Sequence, residues 1–216
     1  MSPAGEVVAR YRKSFLYYTD ETWASEGDAG FFNGPLGELG SACMGICMDI
    51  NPYRFESSWT AYEFATHCVD AGTPLVVLSM AWLTRLSPQE LDENATLPDL
   101  DTLAYWIERF LPIVNAEREN EVIVVLANRC GLEPGSVAGV TRDRDDEGEE
   151  VVGYAGSSCV LRVKGGSVQL YGILGRADES ILVTDTTKVS RMRRLAIYLA
   201  DILQFPQFEL RQKAAG

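Results

Sequence analysis

Cysteine and lysine are the residues of this sequence best suited to covalent chemistry. Cys47 closes an apolar run, 39–47, in which strand alternation puts Cys43, Gly45 and Cys47 on one face. The run gives way to Met48-Asp49-Ile50-Asn51-Pro52, and Pro52 forces a turn before the next helical pattern. A thiol at such a strand-to-helix bend is exposed enough to attack a substrate, and the backbone N–H of Met48 can help hold the resulting oxyanion. A cysteine in a buried strand also serves as inert packing, and spacing alone leaves both readings open.

Other chemistries lack their residues. The single histidine, His67, sits inside a helical pattern with no G-x-S-x-G elbow in the chain to make a serine triad. Zinc would need several His or Cys ligands at short spacing, so no metal is expected. There is no G-x-x-x-x-G-K-[ST] loop, and Gly172-Ile-Leu-Gly175 reads as a turn rather than a dinucleotide fingerprint. No cofactor is expected.

The elements that position Cys47 alternate between short β-rich runs and longer helical patterns, which predicts layered α/β structure. Strands are expected at 6–11, 39–47, 74–78 and 121–127, and a meander at 160–163, 167–172 and 181–183. Residues 57–71 read as a helix, with Trp59, Tyr62, Ala65 and Val69 at helical spacing. Further helices are expected at 100–119 and 191–203. The run 141–150 (TRDRDDEGEE) carries dense charge without apolar residues and reads as a solvated loop. No repeat or linker divides the 216 residues, so one domain is expected, ending in the helix and tail 187–216.

Composition narrows the setting. With 46% hydrophobic and 10% aromatic residues the chain can build a core. A net charge of −12 makes it a poor nucleic-acid binder, because phosphate contact needs concentrated Lys and Arg. The acidity serves solubility or steers a cationic substrate. No apolar stretch is long enough to span a bilayer, and residues 1–6 carry no secretory signal. Five cysteines at 43, 47, 68, 130 and 159, without a CxxC pair, point to reduced thiols in the cytoplasm.

Several ordered blocks resemble the nitrilase superfamily of carbon–nitrogen hydrolases. Gly45-Ile46-Cys47-Met48-Asp49 is similar to that family's nucleophile motif, and Val8-Ala-Arg10-Tyr11-Arg12-Lys13-Ser-Phe-Leu16 to its lysine strand. Ser79-Met80-Ala81-Trp82 resembles the family's small-residue–Trp segment. Ala127-Asn128-Arg129 with Gly131, then Tyr154-Ala-Gly156-Ser157-Ser158, resemble its late signature. The resemblance covers residues 5–185 and implies an αββα sandwich, incomplete at the N-terminus. It implies Cys47 as nucleophile, Lys13 as its cationic partner, and Glu21 as a second glutamate near that lysine. Lys13 would place positive charge beside the thiol, whose ordinary pKa of about 8.5 leaves it mostly protonated near neutrality.

The family also uses a general-base glutamate on a strand well before the lysine. Only twelve residues precede Lys13 here, and Glu6 lies too close to it to substitute. The expectation is that the N-terminal part of the sandwich is missing and that this chain by itself is inactive.

The block Cys47-Met-Asp-Ile-Asn-Pro-Tyr-Arg-Phe-Glu56 with Glu63-Phe-Ala, and Met80-Ala-Trp82-Leu, resembles the fungal branch that acts on protein N-termini. That branch implies removal of ammonia from an N-terminal Asn or Gln side chain, with Met48 and Trp82 at the substrate. Its free α-ammonium needs acid groups, for which Asp49 and Glu56 are the candidates. Asp49 reads equally as a cap at the bend, and Glu56 as a carboxylate at a helix start. The partners implied are protein or peptide N-termini, and a homo-oligomer is possible by resemblance. The alternatives are another amidase of the superfamily acting on a small amide, or a non-catalytic interaction protein.

Overall fold

Valine- and leucine-rich runs bounded by turn residues become the centre of a six-stranded mixed sheet. A computed structural model describes residues 1–116, 119–135, 137, 143–144 and 150–187. The strands are β1 (Phe32–Pro35), β2 (Ser41–Ile46), β3 (Leu75–Met80), β4 (Val122–Asn128), β5 (Cys130–Pro134), β6 (Asp143–Arg144), β7 (Glu150–Ala155), β8 (Cys159–Lys164) and β9 (Ser167–Ile173). The helices are α1 (Glu63–Ala71), α2 (Pro88–Glu93), α3 (Leu100–Arg109) and α4 (Leu111–Asn115). The large sheet runs β1-β2-β3-β4-β8-β9, and a small one β5-β7-β6. Strands β2, β3 and β4 are parallel, and the outer neighbours pair antiparallel.

One face of the large sheet is fully dry. Cys43, Val76, Leu78, Val124, Leu126 and Leu161 meet Phe64 and Cys68 of α1 and Trp106 and Ile107 of α3. The alternate residues Met44, Ile46, Leu75, Val77, Ile123 and Val125 are only partly covered. Parallel strands are ordinarily buried on both faces, so this face has the character of a sandwich interior rather than a finished surface.

Differences from expectation have local causes. Residues 6–11 form no strand, because a strand needs a neighbour to ladder with, and their anchor is a side chain, Tyr11. The helix expected over 57–71 begins only at Glu63. Tyr62 takes a left-handed φ of 46°, which parts a single turn at Trp59–Ala61 from α1. The helix expected over 100–119 divides after Arg109, where Phe110 leaves helical geometry two residues before Pro112. Residues 181–183 are not a strand, and Ile181 and Val183 are exposed. The acidic run 141–150, apart from the backbone of β6 and Glu150, and the expected helix 191–203 with its tail lie outside the described residues.

Candidate active site

Parallel strands present their C-terminal ends to a common edge, and β2, β3 and β4 deliver Cys47, Ala81 and Asn128–Arg129 there. Cys47 is the first residue past β2 and is held at φ 41°. A non-glycine residue in that region costs on the order of 1–2 kcal/mol, so the surrounding contacts must impose it. Gly45 lets the strand come this close to α1, since a Cβ there would stand 2.8 Å from the Phe64 ring. Met48 is the second residue of the single helical turn Cys47–Ile50, where the first N–H groups lack intrahelical acceptors. Its N–H is therefore available to an oxyanion beside Cys47.

Asp49 ties this turn to the segment that carries the lysine. It is completely buried. One carboxylate oxygen accepts from Ser14 N–H at 3.1 Å and Phe15 N–H at 2.8 Å. The other accepts from Ile46 N–H at 2.7 Å and the Tyr11 hydroxyl at 2.8 Å. Both oxygens are occupied by the protein's own donors, which corrects the expectation of Asp49 as an ammonium ligand: it is the cap at the bend. Burial raises its pKa, opposed by the Phe15 and Ile46 N–H groups, the Tyr11 hydroxyl and Lys13.

That tie anchors the backbone that follows Lys13, whose charge acts on the Cys47 thiol. The Lys13 ammonium pairs with Asp20, whose carboxylate also accepts from Tyr17 N–H at 3.1 Å. Glu21, expected near the lysine, instead faces Arg54 at 3.8 Å and is about half exposed. The short turn Asp20–Thr22 decides this, because adjacent residues there project in different directions. Burial pushes the Cys47 thiol above its ordinary value. Ala81 N–H and the Lys13 charge pull it down, and the carboxylates of Asp20 and Asp49 oppose them.

An aromatic wall stands beside the thiol. Trp82 packs on Tyr105 at 5.2 Å and on Trp106 at 6.0 Å. Its backbone is fixed by Asn128, which accepts from Trp82 N–H at 2.7 Å and donates to Gly156 O at 2.9 Å. Burial raises the pKa of Tyr105, whose hydroxyl donates to Asn51 at 2.6 Å, and of Tyr17. Both tyrosines face Cys47 electrostatically. Glu56, the other expected ammonium ligand, is exposed at the end of the turn Tyr53–Phe55.

The structure thus brings together Cys47, Lys13, Met48, Trp82 and Asp49, and leaves Glu21 and Glu56 outside that cluster. Sequence reasoning missed Asp20, Tyr17, Tyr105 and the role of Asn128. Only Asn128 carried a signal, as part of the Ala-Asn-Arg block. A cavity of about 260 Å3 lined by Cys130, Ser158, Asp178 and Glu179 also includes Asn128, but Cys47 is not part of its wall. Among the described residues no group of three His, Cys, Asp or Glu side chains is placed to hold a metal, and no helix is long and apolar enough to cross a membrane.

No family model matches the chain. It is 33% identical over 199 residues to the protein N-terminal amidase of Schizosaccharomyces pombe, a match covering 87% of this chain and 62% of that protein. It is 34% identical over 117 residues to the protein N-terminal amidase of Saccharomyces cerevisiae, covering 45% of this chain and 26% of that one. The chain therefore spans less than two thirds of the length of these relatives, and over the matched stretch it is homologous to them. Among solved structures, an N-terminal amidase with an Asn-Glu-Ala peptide superposes with a TM-score of 0.61 at 20% identity, over 79% of this chain and 69% of that one. An N-terminal amidase with a Gln-Val peptide gives 0.58 at 20% identity, over 77% and 68%. The chain shares its α/β fold, with the layered strands and helices the sequence predicted, with these solved N-terminal amidases.

Proposed function

We propose that this homologue of the protein N-terminal amidases is an amidohydrolase that uses Cys47 to remove ammonia from the side chain of an N-terminal Asn or Gln. The observation that supports the reading is the tie through Asp49, which joins the strained Cys47 turn to the segment carrying Lys13 and its partner Asp20.

The chemistry follows from that arrangement. The Cys47 thiolate adds to the side-chain amide carbon, and the oxyanion is held by Met48 N–H and the Lys13 ammonium. Collapse expels the amide nitrogen, which takes a proton and leaves as ammonia, with a thioester left on Cys47. Water then adds to the thioester carbon and the thiolate leaves, giving Asp or Glu at the substrate's N-terminus. Trp82 and Tyr105 wall the acyl group. Asp49 is saturated and Glu56 lies exposed outside the cluster, so neither is assigned to the α-ammonium.

Both proton transfers need a base and an acid. Asp49 is engaged by four donors on both oxygens and has none left for that task, whereas Asp20 meets Lys13 and Tyr17 N–H through one oxygen. All five cysteines are free thiols, which supports a reducing cytoplasm, where the new acidic N-terminus would feed degradation keyed to the first residue.

The test is ammonia release from peptides beginning with Asn or Gln, with acetylated counterparts as controls. Turnover is expected only with a free amine and only with Cys47 intact. Equal turnover of acetylated peptide would sink the N-terminal reading.

A further inference from the structure

The nucleophile turn runs on into residues 50–62, a stretch outside either sheet in which Arg54, Phe55 and Tyr62 all take left-handed backbone geometry. Such a segment does not hold its own shape. One face of α3 holds it instead, through Tyr105, Glu108 and Arg109 at spacing i, i+3 and i+4. The Tyr105 hydroxyl reaches Asn51, and Glu108 accepts from Trp59 Nε1 at 2.8 Å.

Arg109 makes the central grip. It is 1% exposed. Its Nε donates to Ile50 O at 2.8 Å and its Nη1 to Trp59 O at 2.5 Å. The guanidinium lies against the rings of both Trp59 and Tyr62, 4.6 Å from each centroid. Its Nη2 is buried without a partner. Burying a cation among carbonyls and aromatic faces is costly, and an apolar side chain would fill the same space without that cost. What only a guanidinium supplies is a planar fork of directed donors that also stacks. The fork lands on the carbonyl that ends the Cys47–Ile50 turn and on the carbonyl of Trp59, near the far end of the 50–62 stretch.

We infer that Arg109 is a positioning residue for the Cys47 thiol and the Met48 N–H, acting from α3 through the Ile50 and Trp59 carbonyls. It bonds the far end of the nucleophile turn rather than the thiol. The inference rests on Cys47 being the nucleophile of the proposed reaction.

The test compares Arg109→Met and Arg109→Lys with Ile107→Val, a core change on the same helix. In the 216-residue chain the readout is the rate of Cys47 alkylation by iodoacetamide against pH, followed by mass, alongside the thermal midpoint. Arg109→Met is expected to move the alkylation profile down toward an ordinary thiol near about 8.5, as the loosened turn rehydrates the sulfur. Arg109→Lys, which keeps the charge but not the fork, falls between. Ile107→Val lowers the midpoint and leaves the profile in place. In a form of the protein that turns over an Asn-leading peptide, Arg109→Met lowers kcat by about 100-fold with little change in KM. An Arg109→Met profile superimposable on the wild type, or a raised KM at unchanged kcat, overturns the inference. Should Arg109→Met fail to fold, Arg109→Lys decides on the same criteria. Absence of peptide turnover in every form would count against the proposed reaction, while the alkylation profiles would still decide the role of Arg109.

Discussion

Lys13 and Asp20 form an ion pair beside Cys47, with side chains only 18% and 20% exposed. Seven residues separate them in the chain, and the Asp20–Thr22 turn folds the carboxylate back onto the ammonium. In a site this enclosed the pair fixes where the lysine's charge sits. Lys13→Met should lower turnover on the order of 100-fold or more, as loss of an oxyanion donor does. Asp20→Asn should follow it in direction. Glu21→Gln, which breaks only an exposed contact with Arg54, should leave kcat within about two-fold. Steady-state ammonia release measures all three. A large loss in Glu21→Gln with a silent Asp20→Asn would reverse the assignment.

The pH dependence of Cys47 has a definite sign. Burial disfavours the thiolate, so alkylation should rise through a midpoint above the ordinary cysteine value. Lys13 favours the thiolate, so Lys13→Met should move the midpoint further up. Asp20 disfavours it, so Asp20→Asn should move the midpoint down. Stopped alkylation at a series of pH values gives the three midpoints, and opposite shifts in the two variants are the diagnostic.

Asp49 serves the fold and the site together. Asp49→Ala would strand the N–H groups of Ser14, Phe15 and Ile46 and the Tyr11 hydroxyl, for a loss of about 3–5 kcal/mol after partial rescue by water. Urea unfolding monitored by tryptophan fluorescence should show it. Asp49→Asn keeps the shape and should cost less. Either change should slow turnover too, because Lys13 reaches Cys47 through this tie.

Two glycines separate backbone geometry from crowding. Gly156 and Gly165 share a φ of 52°. A Cβ on Gly156 would lie 2.0 Å from Arg176 O, whereas one on Gly165 would meet nothing within 4 Å. Gly165→Ala should cost about 1 kcal/mol for the left-handed conformation alone. Gly156→Ala should cost about 2–3 kcal/mol more, since a backbone carbonyl cannot move aside as a side chain can. Equal losses in thermal or urea unfolding would show that the Arg176 segment yields freely.

What the sequence determined by itself was the local chemistry and the periodic elements. The apolar runs at 39–47, 74–78 and 121–127 became β2, β3 and β4 with ends displaced by one or two residues, because the alternation that builds a buried strand is written locally. The position of Cys47 at the C-terminal end of its strand was likewise legible to within one residue, since Pro52 and the polar residues before it forbid the strand from continuing. Only the tertiary structure decided which carboxylate serves which partner. Asp20 and Glu21 are neighbours of similar chemistry, and a turn of three residues sends one to Lys13 and the other to Arg54. Asp49 changed from candidate ligand to tie because its four donors arrive from Tyr11, Ser14, Phe15 and Ile46, most of them more than thirty residues away in the chain. Arg109 gave no sequence signal at all, since a basic residue in the last turn of a helix is ordinary there. Its two backbone acceptors lie 59 and 50 residues earlier, and contacts that distant exist only once the sheet and α3 have packed.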